Sequence, residues 1–159
     1  MNHRITFVWL LAVALAAAGC STFGKHEYTS LRVFLQTTPQ LPQQERSTVV
    51  VSNPPMNVTV KRLPELSEID LVKAEAVKTD TRKQLVLQFD RRGTLIISNF
   101  TTERRGELYV LVLNNIAIAA PVIRDTIADG RLVIDVDQTD ADLDKLVKGL
   151  NNAVKKAHF

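Results

Sequence analysis

The sequence predicts an α+β domain in which a largely antiparallel sheet of about six or seven strands packs against two main helices on one face. Several short segments alternate apolar and polar residues and stop at proline, asparagine or glycine, which is typical of strands joined by turns. Two other segments repeat apolar residues at helical spacing. Because short turns separate most of the strands, neighbouring strands are expected to pair antiparallel.

The first half of the chain is expected to form short strands, at 31–35, 48–52, around Val58 and Val60, at 71–79 and at 84–90. Pro54 and Pro55 end the second strand, because proline cannot donate a hydrogen bond to a sheet and restricts the residue before it. A turn or a single helical turn at 63–69 follows the third. Ser67 and Asp70 have the spacing of a capping box there, with Asp in place of the usual Glu or Gln.

The second half is predicted to contain a helix, the two arms of a hairpin and a last strand, at 94–105, 108–113, 116–120 and 132–136. Gly106 follows the helix at a position that favours glycine. Asn114 and Asn115 join the hairpin arms and tolerate the positive φ of a type I′ turn. Asp129 and Gly130 mark a second sharp turn before the last strand.

A C-terminal amphipathic helix is the most regular predicted element. Thr139 is its expected N-cap, and acidic residues follow in the first turn, where the helix dipole favours them. One stripe is apolar, formed by Leu143, Leu146, Val147, Leu150 and Val154. This stripe predicts that the helix packs on the sheet.

The N-terminus has the pattern of a lipoprotein signal peptide. Arg4 precedes an apolar run broken only by Thr6, and the run ends in LAAAGC at Cys20. The run is too short to span a bilayer comfortably. Cys20 is the single cysteine and is predicted to carry acyl chains, palmitate among them, enough for stable anchoring. The alternatives are a buried thiol, an uncleaved anchor, or an exported soluble protein.

The chain is therefore divided into a cleaved signal peptide at 1–19, a lipid-anchored tether at 20–29 and a single domain at 30–159. The mature 140 residues suffice for one hydrophobic core. Ser21, rather than Asp, follows the cysteine, and this favours the periplasmic face of the outer membrane over retention in the inner one.

The charge of the mature chain argues against nucleic-acid binding. Arg4 is the only charged residue in 1–19, which leaves 19 basic residues against 17 acidic ones. Basic pairs occur at Lys61-Arg62, Arg82-Lys83, Arg91-Arg92, Arg104-Arg105 and Lys155-Lys156. Acidic residues are scattered among these pairs and no aromatic interleaving suggests base stacking, so we interpret the pairs as solvated faces.

No catalytic, cofactor or metal site is predicted. The three histidines, His3, His26 and His158, fall in the signal, the tether and the C-terminal end. The densest acidic cluster contains Asp135, Asp137, Asp140, Asp142 and Asp144. As a calcium loop it would have Asp140 where glycine is required and Leu146 where glutamate is required. We interpret it as a strand end that leads into a capped helix.

From Leu66 onward the order of motifs resembles the head part of the first periplasmic domain of SecD, a membrane subunit that assists protein export. The resemblance rests on SEIDLVKAEAV at 67–77, LQFDRRG at 87–93, Thr101, Thr102 and Gly106, LYVLVLNNIAIAAPVI at 108–123, and IADGRLVIDV at 127–136. Two features depart from the SecD pattern. The usual Asp-Gly of the hairpin is Asn114-Asn115, and nothing after Ala18 is apolar enough to span a membrane.

The resemblance implies a periplasm-facing module that is not an enzyme and that binds exported or envelope polypeptides. Sheet edges or a rim formed by Asn114, Asn115, Arg124 and Arg131 are the expected binding surface. The lipid bilayer, through acylated Cys20, is the other expected partner. The alternative is a structural envelope lipoprotein that assembles with other envelope components and has no substrate of its own.

Overall fold

A computed structural model describes residues 27–52 and 54–158. The predicted signal peptide and Cys20 lie outside the described residues. Nine strands are present in the described part, β1 Leu31–Leu35, β2 Arg46–Ser52, β3 Pro55–Lys61, β4 Leu66–Ser67, β5 Leu71–Lys78, β6 Lys83–Phe89, β7 Tyr109–Leu113, β8 Ile116–Ala119 and β9 Arg131–Asp135. The helices there are α1 Arg91–Glu103 and α2 Asp140–Ala157, with 3-10 turns at Gln43–Glu45 and Glu68–Asp70. The α+β class with two helices is confirmed.

The strands are divided between two sheets. The larger has the order β3-β2-β8-β7-β1-β4 and is mixed, because β2 runs parallel to β8 at Val51 and Ala117. It curls into a half-barrel: Gln36, just after β1, bridges Val60 of β3, and the Thr37 N–H donates to the Thr59 carbonyl at 2.8 Å. The smaller sheet has the order β5-β6-β9 and is antiparallel throughout.

Two groups of apolar side chains form the core, one on each side of β7. Tyr109, Leu111 and Leu113 face the main core, which also contains buried residues of both sheets and both helices. Val110 and Val112 face the inside of the half-barrel, where they pack with valines of β2 and β3. All five residues of β7 are buried as a result, so this strand is the common wall of the two cores.

Helix α1 begins earlier than the predicted residue 94. The Asp90 side chain accepts a hydrogen bond from the Gly93 N–H at 2.7 Å and caps a helix that starts at Arg91. Gly93 fits here because a Cβ at this position would lie 2.8 Å from the Cβ of Phe89. The prediction was wrong because Asp90 was assigned to the preceding strand.

Other local predictions are confirmed. Asn114 and Asn115 have φ values of 50° and 66°, as a type I′ hairpin turn requires. Ser67 and Asp70 form the expected capping box. The Thr139 hydroxyl accepts the Asp142 N–H at the start of α2, and Leu143 and Leu150 of its apolar stripe are fully buried.

Candidate binding surfaces

The structure places the four residues of the predicted rim at three separate locations. Asn114 and Asn115 close the β7–β8 hairpin at one end. Arg124 lies two residues after Val122, which bridges Leu108 at the opposite end of the same hairpin. Arg131 is the first residue of β9 in the smaller sheet. The four side chains therefore do not line one common edge, and a binding role for each of them stays a prediction.

Asn114 has a structural role that the sequence did not reveal. Its side-chain oxygen accepts the Ser30 N–H at 3.0 Å, and its own N–H donates to the Ser30 carbonyl at 3.1 Å. The hairpin turn is thus fixed to the residue that leads into β1. This leaves Asn115, exposed at the tip, as the more accessible member of the pair.

A cleft of about 1070 Å³ lies at one end of the half-barrel and was not predicted from the sequence. Its walls come from the loop at 36–45, the end of β3 at 61–63 and the segment after α1 at 104–107. Leu63, with 78% of its surface exposed, and Leu41 contribute apolar surface to it. The sequence signal that could have indicated this cleft is a leucine beside proline in two loops, Leu41 between Pro39 and Pro42 and Leu63 before Pro64.

Hydrogen bonds hold the walls of the cleft together. Gln36 pairs with Leu108 twice, since its N–H donates to the Leu108 carbonyl at 2.9 Å and its side-chain oxygen accepts the Leu108 N–H at 2.8 Å. The Arg62 N–H donates to the Glu45 carbonyl at 2.9 Å, and the Arg62 guanidinium donates to the Gln44 carbonyl at 3.3 Å. The loop at 36–45 is therefore anchored at both of its ends.

Charged groups of both signs surround the cleft. Lys61 pairs with Glu65 at 2.7 Å, and Arg104 pairs with Glu107 at 3.1 Å. Both pairs are partly exposed, so each contributes little to the free energy of unfolding. The apolar floor with a rim of balanced charge is typical of a surface that accepts apolar side chains rather than a strongly charged ligand.

The aspartates after β9 are engaged by lysines and by the helix start. Asp140 lies 2.8 Å from the Lys83 ammonium, whose hydrogen bond and charge lower the pKa of that carboxyl. Asp144 pairs with Lys78 at 2.7 Å, and Asp142 accepts the hydroxyl of Thr139. Among residues 27–158, apart from 53, no group of three or more His, Cys, Asp or Glu is arranged to hold a metal ion.

No helix in the described ranges is long and apolar enough to cross a membrane. His158, the histidine within those ranges, lies with its ring nitrogen 3.2 Å from the Leu71 carbonyl. This contact fixes the end of α2 against the start of β5. The described part of the chain thus offers surfaces and a cleft for binding, and the fold itself defines the class of protein.

A comparison with protein families gives that class. Residues 41–153 match the family described as SecDF, P1 head subdomain. The match covers well over half of the chain, so the chain belongs to the SecDF P1 head subdomain family. This agrees with the resemblance drawn from the motifs after Leu66.

Two solved structures share the fold at 22% sequence identity. One belongs to SecDF described as a membrane component that enhances protein export, with a TM-score of 0.58, covering 80% of this chain and 64% of that chain. The other is a crystal structure of SecDF in a form called super-membrane-facing, with a TM-score of 0.59, covering 78% of this chain and 19% of that chain. This chain therefore spans less than two thirds of either SecDF chain. No curated protein matches the sequence.

Proposed function

We propose that this protein is a lipid-anchored component of the bacterial envelope whose SecDF P1 head-like domain binds polypeptides on the periplasmic side. The domain acts by binding alone and catalyses no reaction. Anchoring occurs through acylated Cys20, and the short tether keeps the domain close to the periplasmic face of the outer membrane. Exported or envelope polypeptides are the proposed ligands.

Family membership supports the connection with export. The SecDF protein that shares this fold is described as a component that enhances protein export. The match covers 19% of the larger SecDF chain, so the proposal concerns the head domain alone. A shared fold does not by itself carry a function, so the proposed contact with polypeptides rests on the surface of this domain.

The cleft at 36–45, 61–63 and 104–107 is the observation that carries the proposal. Its volume of about 1070 Å³ is large enough for several side chains of an extended segment. Leu63 projects a largely exposed apolar side chain beside it, which gives the cleft an accessible apolar contact for a ligand. The balanced charges on the rim suit ligands of varied sequence.

Site-specific photo-crosslinking in living cells tests this proposal. A photoreactive amino acid at Leu63 is expected to capture exported precursors of several sequences, identified by mass spectrometry. The matched control is Leu95, a leucine of α1 that is 58% exposed and lies outside the cleft. A second probe at Asn115 tests the predicted rim separately.

Each outcome of the crosslinking distinguishes between the two functions. Precursors captured at Leu63 and not at Leu95 support polypeptide binding. One stoichiometric envelope protein with no precursors would instead support the structural alternative. Equal capture of precursors at both leucines would contradict a role for the cleft.

Anchoring needs its own experiment. Metabolic labelling with an alkyne fatty acid is expected to label the wild-type protein and not the Cys20→Ser variant. That variant is also expected to leave the membrane fraction. Density-gradient separation of the two membranes then tests the outer-membrane assignment, and a Cys20→Ser variant that stays firmly bound would overturn the lipid anchor.

A further inference from the structure

The smaller sheet has one open edge, formed by β9. Within the described residues β9 pairs only with β6, whereas β6 lies between β5 and β9. The Phe89 N–H donates to the Gly130 carbonyl and the Val136 N–H donates to the Lys83 carbonyl, each at 3.0 Å. These two hydrogen bonds bracket the strand and fix which of its backbone groups face β6.

The N–H and carbonyl groups of alternate β9 residues therefore point away from β6, towards the open edge of the sheet. Hydrogen-bonded pairs alternate with non-bonded pairs in an antiparallel ladder. Counting inward from the two bracketing bonds, Leu132 and Ile134 bond to β6. The N–H and carbonyl groups of Arg131, Val133 and Asp135 face the open edge, although the Arg131 N–H also donates to the Asp129 carboxylate at 3.1 Å.

The opposite edge of the same sheet is covered by α2 at Ala74 of β5. The Asn151 side chain of α2 accepts the Ala74 N–H and donates to the Ala74 carbonyl, each at 2.9 Å, as a neighbouring strand would. No comparable side chain is hydrogen-bonded to Val133 among the described contacts. An unprotected edge strand is a template for pairing with another strand.

The sequence of β9 is complementary to itself in the antiparallel direction. It reads Arg-Leu-Val-Ile-Asp, with a cation at one end, an anion at the other and valine at the centre. A two-fold axis through Val133 would place Arg131 opposite Asp135 of a second copy and Val133 opposite its own equivalent. All three of these residues are exposed.

The same register satisfies the backbone. Arg131, Val133 and Asp135 have the outward-facing N–H and carbonyl groups, and this register pairs them only with one another. A slip of two residues in either direction would place Val133 opposite a charged residue. Gln84 donates to the Asp135 carboxylate at 2.9 Å and so orients it on the exposed face.

We propose that two copies of this chain associate through β9 about a two-fold axis at Val133, so that their smaller sheets join into one continuous six-stranded sheet. Arg131 and Asp135 form reciprocal ion pairs across the interface. Such an interface is isologous, because each copy contributes the same patch. It lies on a different part of the molecule from the cleft and does not depend on polypeptide binding there.

Charge exchange gives the sharpest test. The full-length protein in detergent is analysed by sedimentation velocity. Arg131→Glu or Asp135→Arg alone sets like charges opposite each other twice per dimer, so the dissociation constant is expected to rise about tenfold or more. The double variant restores opposite charges and is expected to return the dissociation constant close to that of the wild type. Thermal unfolding of each variant shows that the domain remains folded.

Disulfide trapping in the oxidising envelope gives an independent test. The predicted pair places the Val133 Cα atoms within the range that a disulfide spans, so Val133→Cys is expected to give a covalent homodimer. Val72→Cys is the matched control, because Val72 of β5 is 50% exposed and Val133 is 49% exposed.

The results either support or overturn the dimer. Charge rescue together with trapping at Val133 and not at Val72 supports it. A monomer at all concentrations, equal trapping at both valines, or single charge variants that dimerise like the wild type would overturn it. Mixed disulfides of Val133→Cys with other polypeptides and none with a second copy would also overturn it, and would make β9 an edge for foreign strands.

Discussion

Asn151 and Ala74 join helix α2 to the edge of β5 through two hydrogen bonds of 2.9 Å each. The amide side chain offers one acceptor and one donor with nearly the spacing of a backbone unit, so it takes the place of the next strand. This contact covers the edge of β5 at Ala74, whereas β9 has no comparable contact at Val133 among the described residues. The two edges of the smaller sheet therefore differ, because α2 packs along β5 and Asn151 pairs with its backbone at Ala74.

Replacing that asparagine is expected to destabilise the fold. Asn151→Ala leaves both backbone groups of Ala74 without a partner beneath the helix, at a cost of about 1–3 kcal/mol in the free energy of unfolding. Urea denaturation followed by circular dichroism measures the change. Asn152→Ala is the control, because its side chain makes one long hydrogen bond of 3.3 Å to the Glu27 carbonyl. Equal losses in the two variants would contradict the assigned role of Asn151.

Asp70 is expected to be a second point of structural sensitivity. It is only 2% exposed, accepts the Ser67 N–H at 3.0 Å and pairs with the Arg92 guanidinium of α1. Asp70→Ala removes both contacts and is expected to cost about 2–4 kcal/mol of unfolding free energy.

Chemical denaturation at neutral pH measures the effect of Asp70→Ala. The exposed turn residue Asp80 provides the matched control, since Asp80→Ala is expected to change the unfolding free energy by less than about 0.5 kcal/mol. A loss at Asp70 no larger than that at Asp80 would show that the buried carboxylate does not join the turn to α1.

Local features of the fold could be predicted from the sequence because local chemistry determines them. The positive φ values of Asn114 and Asn115, the Ser67 and Asp70 capping box and the start of α2 at Thr139 all depend on residues within a few positions of one another. The start of α1 was predicted wrongly, because Asp90 can end a strand or cap a helix with equal ease. The short strand β4 was also missed, since it lies in the segment predicted as a turn or helical turn and pairs with the distant β1.

The division into two sheets and the cleft could not be predicted. The parallel contact of Val51 with Ala117 and the bridge of Gln36 with Val60 join segments far apart in the chain, and alternation within a strand does not specify its neighbour. The cleft likewise requires the loop at 36–45 to meet the segment at 104–107. The predicted rim failed to form one surface because β7 separates the turn at Asn114 from Arg124 by the full length of the hairpin.

The buried phenol of Tyr109 is expected to lower the free energy of unfolding at alkaline pH. Burial raises the pKa of its phenol to about 12, above the ordinary value of about 10 that the unfolded chain would have. The unfolded state thus ionises first, so this contribution to stability is complete below about pH 10 and is lost as the pH rises towards 12. The loss is at most about 1.4 kcal/mol per pH unit.

A comparison with Tyr109→Phe isolates the phenol from the lysines that titrate in the same range. From about pH 10 upward, the free energy of unfolding of the wild type is expected to fall relative to that of Tyr109→Phe. In Tyr28→Phe, the remaining tyrosine is Tyr109, so its ionisation can be followed by ultraviolet absorbance. A midpoint near 10 in the folded protein would contradict the burial effect.

We expect Gly149→Ala to destabilise the protein, although alanine usually stabilises a helix relative to glycine. The reason is the close contact between Gly149 and Thr29. Gly149 lies inside α2, where alanine ordinarily stabilises by about 1 kcal/mol. A Cβ here would lie 2.2 Å from the Thr29 hydroxyl oxygen and 3.2 Å from the Thr29 backbone nitrogen, so Gly149→Ala is expected to destabilise by about 1–3 kcal/mol.

The Thr29→Gly background tests whether this contact is the cause. Removing the Thr29 side chain takes away the nearest atoms, so the two substitutions are expected to be non-additive and Gly149→Ala to cost less in that background. Urea denaturation of the four proteins measures the coupling. Additive losses would show that the close approach of Thr29 to α2 does not limit residue 149. A smaller cost of Gly149→Ala in the Thr29→Gly background would mean that the contact between Thr29 and α2 fixes where the chain leaves the domain towards the predicted tether.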